Sequence, residues 1–131
     1  MSLDFFGIIL LIFGGCFLLV IFLLFRKKND AWKVGILKKF SNLKNQKLPP
    51  KYYLLELDKL LEFAFQNRFS KKESLGKILK SKNKTFSKNR LNDIWFAHKI
   101  RNKLAHQVDT EVSEQDIFKA IDIFHKEFNN L

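Results

Sequence analysis

Residues Phe5 to Phe25 read FFGIILLIFGGCFLLVIFLLF, 21 consecutive residues without a charge. At 1.5 Å per residue a helix of that length crosses about 30 Å of hydrocarbon, so the run predicts a transmembrane span. A cleaved leader would carry a basic n-region, a shorter apolar run and a small-residue cleavage site. Here Asp4 precedes the run and Arg26-Lys27-Lys28 closes it, so the expectation is a retained single-pass anchor over residues 1–28. No Lys or Arg precedes the span and a basic flank follows it, so the positive-inside rule puts the N-terminus outside the cell membrane and the rest in the cytoplasm.

Charge is distributed accordingly. All 24 Lys and Arg lie from Arg26 onward, and Asp4 is the only one of 13 acidic residues before it, so residues 26–131 carry 24 − 12 = +12. A polycation of this kind favours polyanions, meaning nucleic acid or an anionic lipid surface, through counterion release and the summed field. Lys outnumbers Arg 20 to 4, a bias that A+T-rich codon usage also produces, so the charge alone does not name the polyanion. The single cysteine, Cys16, lies inside the apolar run and rules out a disulfide framework within the chain.

Beyond the span, Trp32, Ile36, Leu37, Phe40 and Leu43 keep helical spacing, with Lys33, Lys38, Lys39 and Lys44 between them. This predicts a basic amphipathic juxtamembrane helix or linker over residues 29–48, its aromatics turned toward the headgroup layer. Leu48-Pro49-Pro50 then interrupts the helix, because two rings remove backbone donors and bias the preceding residue to extended geometry. A domain boundary is placed there, leaving residues 49–131 for one small domain.

Within that domain four amphipathic segments follow. Tyr53, Leu57, Leu60, Leu61, Ala64 and Phe65 predict a helix over 51–68. Ser70-Lys71-Lys72-Glu73 has the capping-box pattern and predicts the start of a short helix that buries Leu75, Ile78 and Leu79. Residues 80–88, KSKNKTFSK, show no periodicity and read as a basic loop. Leu91, Ile94, Trp95, Ala97, Ile100, Leu104 and Ala105 predict a helix from about Lys88 to His106, followed by a polar connection from Gln107 to Val112. Ser113-Glu114-Gln115-Asp116 caps a last helix carrying Ile117, Ile121, Phe124, Phe128 and Leu131. Nothing alternates with period two, so the predicted class is all-α: a single transmembrane helix followed by a small antiparallel four-helix bundle. The aromatics Phe63, Phe65, Trp95, Phe96, Phe118, Phe124 and Phe128 are read mainly as core.

The usual sites are missing from the sequence. His98, His106 and His125 are the only histidines, and no HExxH or equivalent spacing joins them, so neither a metal nor another cofactor is expected. No Gly-rich phosphate loop and no nucleophile elbow occurs. His98, next to Trp95 on its helix, reads as a structural histidine, and His125 as a surface residue opposite the apolar stripe.

One short stretch carries chemistry: Ile100-Arg101-Asn102-Lys103-Leu104-Ala105-His106. An Arg, a following polar residue and a His after four further positions, at the end of a long helix, resemble the signature of the HEPN superfamily of all-helical nucleotide-binding domains. The resemblance covers about residues 50–131, with its long first helix, its RN-x-x-AH ending, the polar turn and the capped last helix. It implies metal-independent endoribonuclease activity, of the kind toxins and defence proteins use, with Arg101, Asn102 and His106 as catalytic residues and an active site formed across a homodimer.

The chemistry of these groups is compatible. An imidazole with a pKa near 6.5 can take the 2′-OH proton or protonate the leaving 5′-oxygen. A guanidinium fork can hold charge on the phosphorane, and the Asn102 amide can orient either group. Positions 101 and 106 point about 140° apart on an unbroken helix, so the helix must end near Ala105 or a partner subunit must contribute. Lys80, Lys82, Lys84, Lys88, Lys99 and Lys103 are candidate RNA- or lipid-binding residues. The alternative reading is a non-catalytic module that recruits a protein partner, such as an antitoxin, to the cytoplasmic membrane face.

Overall fold

The computed structural model describes residues 5–106 and 111–131, with side chains described for 7–25, 31–106 and 111–131. Every regular element among the described residues is helical: α1 (Phe5–Asn45), α2 (Pro50–Phe69), α3 (Leu75–Ser81), α4 (Lys88–His106) and α5 (Glu114–Asn129), with a 3-10 turn at Asn83–Thr85. The chain divides into two units, Met1–Val34 and Gly35–Leu131. In the first, Gly7–Phe25 is a helical stretch long and apolar enough to cross a membrane, and none of it is buried. The side chains of Arg26, Lys27 and Lys28 lie outside the described residues, as does most of the connection from Gln107 to Val112.

The second unit begins 14 residues before the Pro pair, since its boundary is at Gly35 and the pair is at Pro49-Pro50. The reason is the inner face of α1. Ile36 is 1% and Phe40 7% exposed, and the Phe40 ring stacks on Phe128 of α5 with centroids 4.5 Å apart. The aromatic expected to face headgroups is therefore committed to the protein core. Leu48-Pro49-Pro50 still breaks the chain, and Pro50 takes the first turn of α2, where a missing donor costs nothing.

α2 buries Leu54, Leu57, Leu61, Ala64 and Phe65. It ends at Ser70, whose left-handed backbone (φ 51°, ψ 42°) turns the chain back. Ser70 is thus the C-cap of α2 and does not cap α3, contrary to the capping-box expectation. The loop must reverse direction within four residues to lay Leu75, Ile78 and Leu79 on α2 and α4, and that tertiary demand overrides the local pattern. The first amide of α3 is capped from another helix, Glu62 Oε2 accepting from the Leu75 N–H at 2.8 Å. At α5 the sequence signal holds, and Ser113 Oγ accepts from the Asp116 N–H at 3.1 Å.

Residues 80–88 are more ordered in outline than a free loop. Phe86 is buried there and stacks on Phe65 at 5.5 Å, with Phe69 edge-on at 6.0 Å, so the 3-10 turn is pinned to the end of α2. Phe65, Phe124 and Phe128 are core residues as expected, whereas Phe63 and Phe118 are about half exposed (47% and 51%).

The pairings give the second unit two ends. Arg90 at the start of α4 holds Glu127 at the end of α5 through a two-pronged ion pair, its closest contact Nη2 to Oε2 at 2.7 Å, so these helices run antiparallel. Phe40, Phe65, Phe86, Arg90 and Phe128 therefore gather toward one end, the end at which the chain enters the unit at Gly35. The other end holds the turn at Pro49, the C-terminal turns of α4 and the first turn of α5, where Pro49, Tyr52, Glu114 and Phe118 line a common hollow.

Candidate functional site

Asp58 lies on the apolar stripe of α2, between Leu54, Leu57 and Leu61, and is 1% exposed. Burying a carboxylate there is tolerable only with partners, and α4 provides two of them, one turn apart. His98 Nδ1 is 2.7 Å from Asp58 Oδ1, and Arg101 Nε is 3.1 Å from Oδ2. A carboxylate only accepts, so His98 Nδ1–H is the donor in this contact. His98 Nε2 faces α3, where a Cβ on Gly76 would come within 3.5 Å of it and of the Trp95 ring.

The contact of Arg101 with Asp58 is a charge contact by distance, since its buried Nε has no aligned hydrogen-bond acceptor. The guanidinium is also tied sideways, Nη1 donating to Asn102 Oδ1 at 2.9 Å. With 22% of its side chain exposed, Arg101 is anchored at its inner edge and open at its outer one. Arg101 and Asn102, neighbours in the chain, are thus also joined through their side chains.

His106 is not brought to them. It is the last residue of α4 and is exposed, and the helix is unbroken from Arg101 to it. Five residues on an α-helix amount to about 140° of rotation and about 7.5 Å of rise, so the imidazole and the guanidinium of one copy point to different sides. Lys99 and Lys103, four residues apart and both exposed, share a face near this end of α4. Lys80, Lys84 and Lys88 are exposed at the opposite end, with Lys82 half-buried over the Phe69 ring at 5.8 Å. Lys88 and Arg101 are about 20 Å apart along the α4 axis, so the six lysines form two groups.

His125 is not a free surface residue. It is half-buried, with Nε2 2.8 Å from the Tyr53 hydroxyl and its ring edge-on to Phe40 at 5.3 Å. Burial, and then the charge of Lys44, hold its pKa below the usual 6.5, against a smaller opposing effect of Asp122. The deprotonated ring can accept a hydrogen bond from the Tyr53 hydroxyl.

Asp58 had no place in the motif-based reading, yet it organises the site. The signal was present: an acidic residue at the i+4 position from Leu54 and next to Leu57 interrupts a stripe that otherwise buries only apolar side chains. Glu127, 4% exposed between Phe124 and Phe128, carries the same signal and proves to be the partner of Arg90. Among the described residues no group of three or more His, Cys, Asp or Glu could hold a metal ion. No family model, no curated protein and no solved structure matches the chain.

Proposed function

We propose that this protein is a single-pass membrane protein whose second unit is a HEPN-like four-helix bundle, facing the cytoplasm, that binds RNA and cleaves it without metal. The observation that carries the reading is the Asp58-anchored Arg101 beside Asn102, five residues of α4 before an exposed His106. A guanidinium fixed at its inner edge presents its outer edge in one orientation, which suits in-line charge stabilisation on a phosphate. His106 serves as the proton carrier for the 2′-OH or the leaving oxygen. Lys99 and Lys103 supply nearby positive charge for the backbone. Because Arg101 and His106 of one copy diverge, the working site takes the arginine of one copy and the histidine of a second. The basic flank Arg26-Lys27-Lys28 after the apolar run supports the cytoplasmic orientation.

The test uses the full chain in detergent micelles, with EDTA, on single-stranded RNAs of mixed sequence. Cleavage should leave 2′,3′-cyclic phosphate ends, and His106→Ala should slow it by about 10²- to 10⁴-fold. Arg101→Lys should also fail, since an ammonium keeps the charge and loses the planar fork. An inactive wild type, or mutants that cleave as well as wild type, would reject the nuclease. The second reading, a module that recruits a protein partner such as an antitoxin, then takes its place. It is favoured by an 830 Å³ groove between the end of α1 and α2, where Tyr52 (64%) and Phe63 (47%) are exposed.

A further inference from the structure

The cations of residues 68–90 have no part in the site at the far end of α4. This stretch holds nine Lys and Arg against one acid, Glu73, a net charge of 9 − 1 = +8. Arg90 is taken up by Glu127 and Lys71 lies 3.7 Å from Glu73. Arg68, Lys72, Lys80, Lys84 and Lys88 are exposed. The fold gathers this charge through Phe69 and Phe86, over which Arg68, Lys82 and Arg90 lie at 5.6, 5.8 and 5.2 Å.

This is also the end at which the chain enters the unit. α2 runs antiparallel to the last turns of α1, with Lys39 over the Phe63 ring at 5.2 Å, so the C-terminal end of α2 lies toward Gly35. Ten residues separate Gly35 from Phe25, the end of the apolar helix. Even fully extended, ten residues reach only about 33–36 Å, so this is the end of the unit that an anchored chain tethers nearest the headgroups. An anionic surface attracts Lys and Arg within about a Debye length, 8–10 Å, and tethering makes the approach intramolecular.

We infer that the end formed by Arg68, Lys72, Lys80, Lys84 and Lys88 is a docking surface for anionic phospholipid headgroups, which orients the unit with Arg101 and His106 pointing away from the bilayer. The inference rests on the anchor half of the reading above and is independent of the nuclease half. The composition of the surface favours lipid over RNA. Its exposed groups are almost all lysines, compact charges suited to single phosphates, and its main aromatic, Phe86, is buried beneath them and offers no base a stacking platform.

The experiment places one cysteine at a time in the full chain, on a Cys16→Ser background: Thr85→Cys at the basic end and Gln115→Cys in the first turn of α5. Each is labelled with a fluorophore, and the chain is reconstituted in nanodiscs that contain headgroup-quencher lipid, either in phosphatidylcholine alone or with about 30% phosphatidylserine. In the anionic discs quenching at position 85 should exceed that at 115 several-fold. The excess should vanish at about 0.5 M salt and in the Lys80→Gln, Lys84→Gln, Lys88→Gln triple variant. Equal quenching at the two positions, or no dependence on phosphatidylserine, overturns the docking. If single-stranded RNA shifts the signal at position 85 in neutral discs and phosphatidylserine does not, the surface belongs to nucleic acid. A chain that fails to insert overturns the anchor and the docking together, whereas one that inserts without quenching overturns the docking alone.

Discussion

Replacing Asp58 by Ala tests the arrangement that supports the site. The carboxylate is 1% exposed and faces two cationic or proton-donating groups at 2.7 and 3.1 Å. Its removal leaves His98 Nδ1 without an acceptor and Arg101 without its anion. A buried hydrogen bond to a charged group contributes about 1.5–3 kcal/mol, and breaking a buried pair costs about 3–5 kcal/mol. Arg101 is 22% exposed, and water can reach part of the guanidinium, so the lower range, about 2–4 kcal/mol, applies. For a unit of this size each kcal/mol moves Tm by about 4–8 °C, which places the loss at roughly 8–30 °C.

The assay is thermal unfolding of the full chain in detergent, followed by near-ultraviolet circular dichroism. Asp58→Asn should lose less than Asp58→Ala, because the amide oxygen can still accept from His98. The double variant Asp58→Leu, His98→Leu should recover part of the loss, since a buried polar pair replaced by well-packed apolar groups is often neutral. A Tm for Asp58→Ala within about 3 °C of wild type, the scatter of a surface substitution, would refute the buried cluster.

Two further outcomes are expected. The His125 pKa is lowered in the folded chain by burial first and by Lys44 second, so as pH falls the unfolded chain takes the proton before the folded one does. The contribution of His125 is thus present above pH 6.5 and is lost as pH drops from there through its lower folded value. Urea midpoints measured between about pH 7.5 and about pH 5 should show that part of the decline in wild type but not in His125→Gln, and identical slopes in the two would contradict it. Protease added outside intact cells should leave residues 51–131 whole, and their digestion there would reverse the proposed orientation.

Helix positions were legible because they depend on spacing. Leu91, Ile94, Ala97 and Ile100 define one face of α4, and the predicted limits, Lys88 and His106, match the observed helix. The Ser113 cap was legible because the residues that make it are neighbours in sequence. What failed was local pattern overruled by distant contacts. Ser70 and Glu73 have the residue types of a capping box, but the real cap of α3 comes from Glu62, thirteen residues upstream of Leu75. Phe40 has the spacing of an interfacial helix, and only its contact with Phe128, 88 positions later, reveals that it faces the core.

The same distinction governs the site. Arg101 and Asn102 are adjacent in sequence and meet in space, so their contact is local. Asp58 is 40 residues from His98, and no motif links the two; its only trace is a charge on an apolar stripe. Under the nuclease proposal, Asp58 narrows the mechanism. An arginine free to swing could follow a phosphate around the helix toward His106, but one anchored by its inner edge to a buried carboxylate cannot cross about 140° of helix surface. Under the nuclease reading, the pairing of two copies is then a geometric requirement of the chemistry. A membrane anchor favours it, because confinement to a plane raises the encounter rate of two tethered units without any new contact.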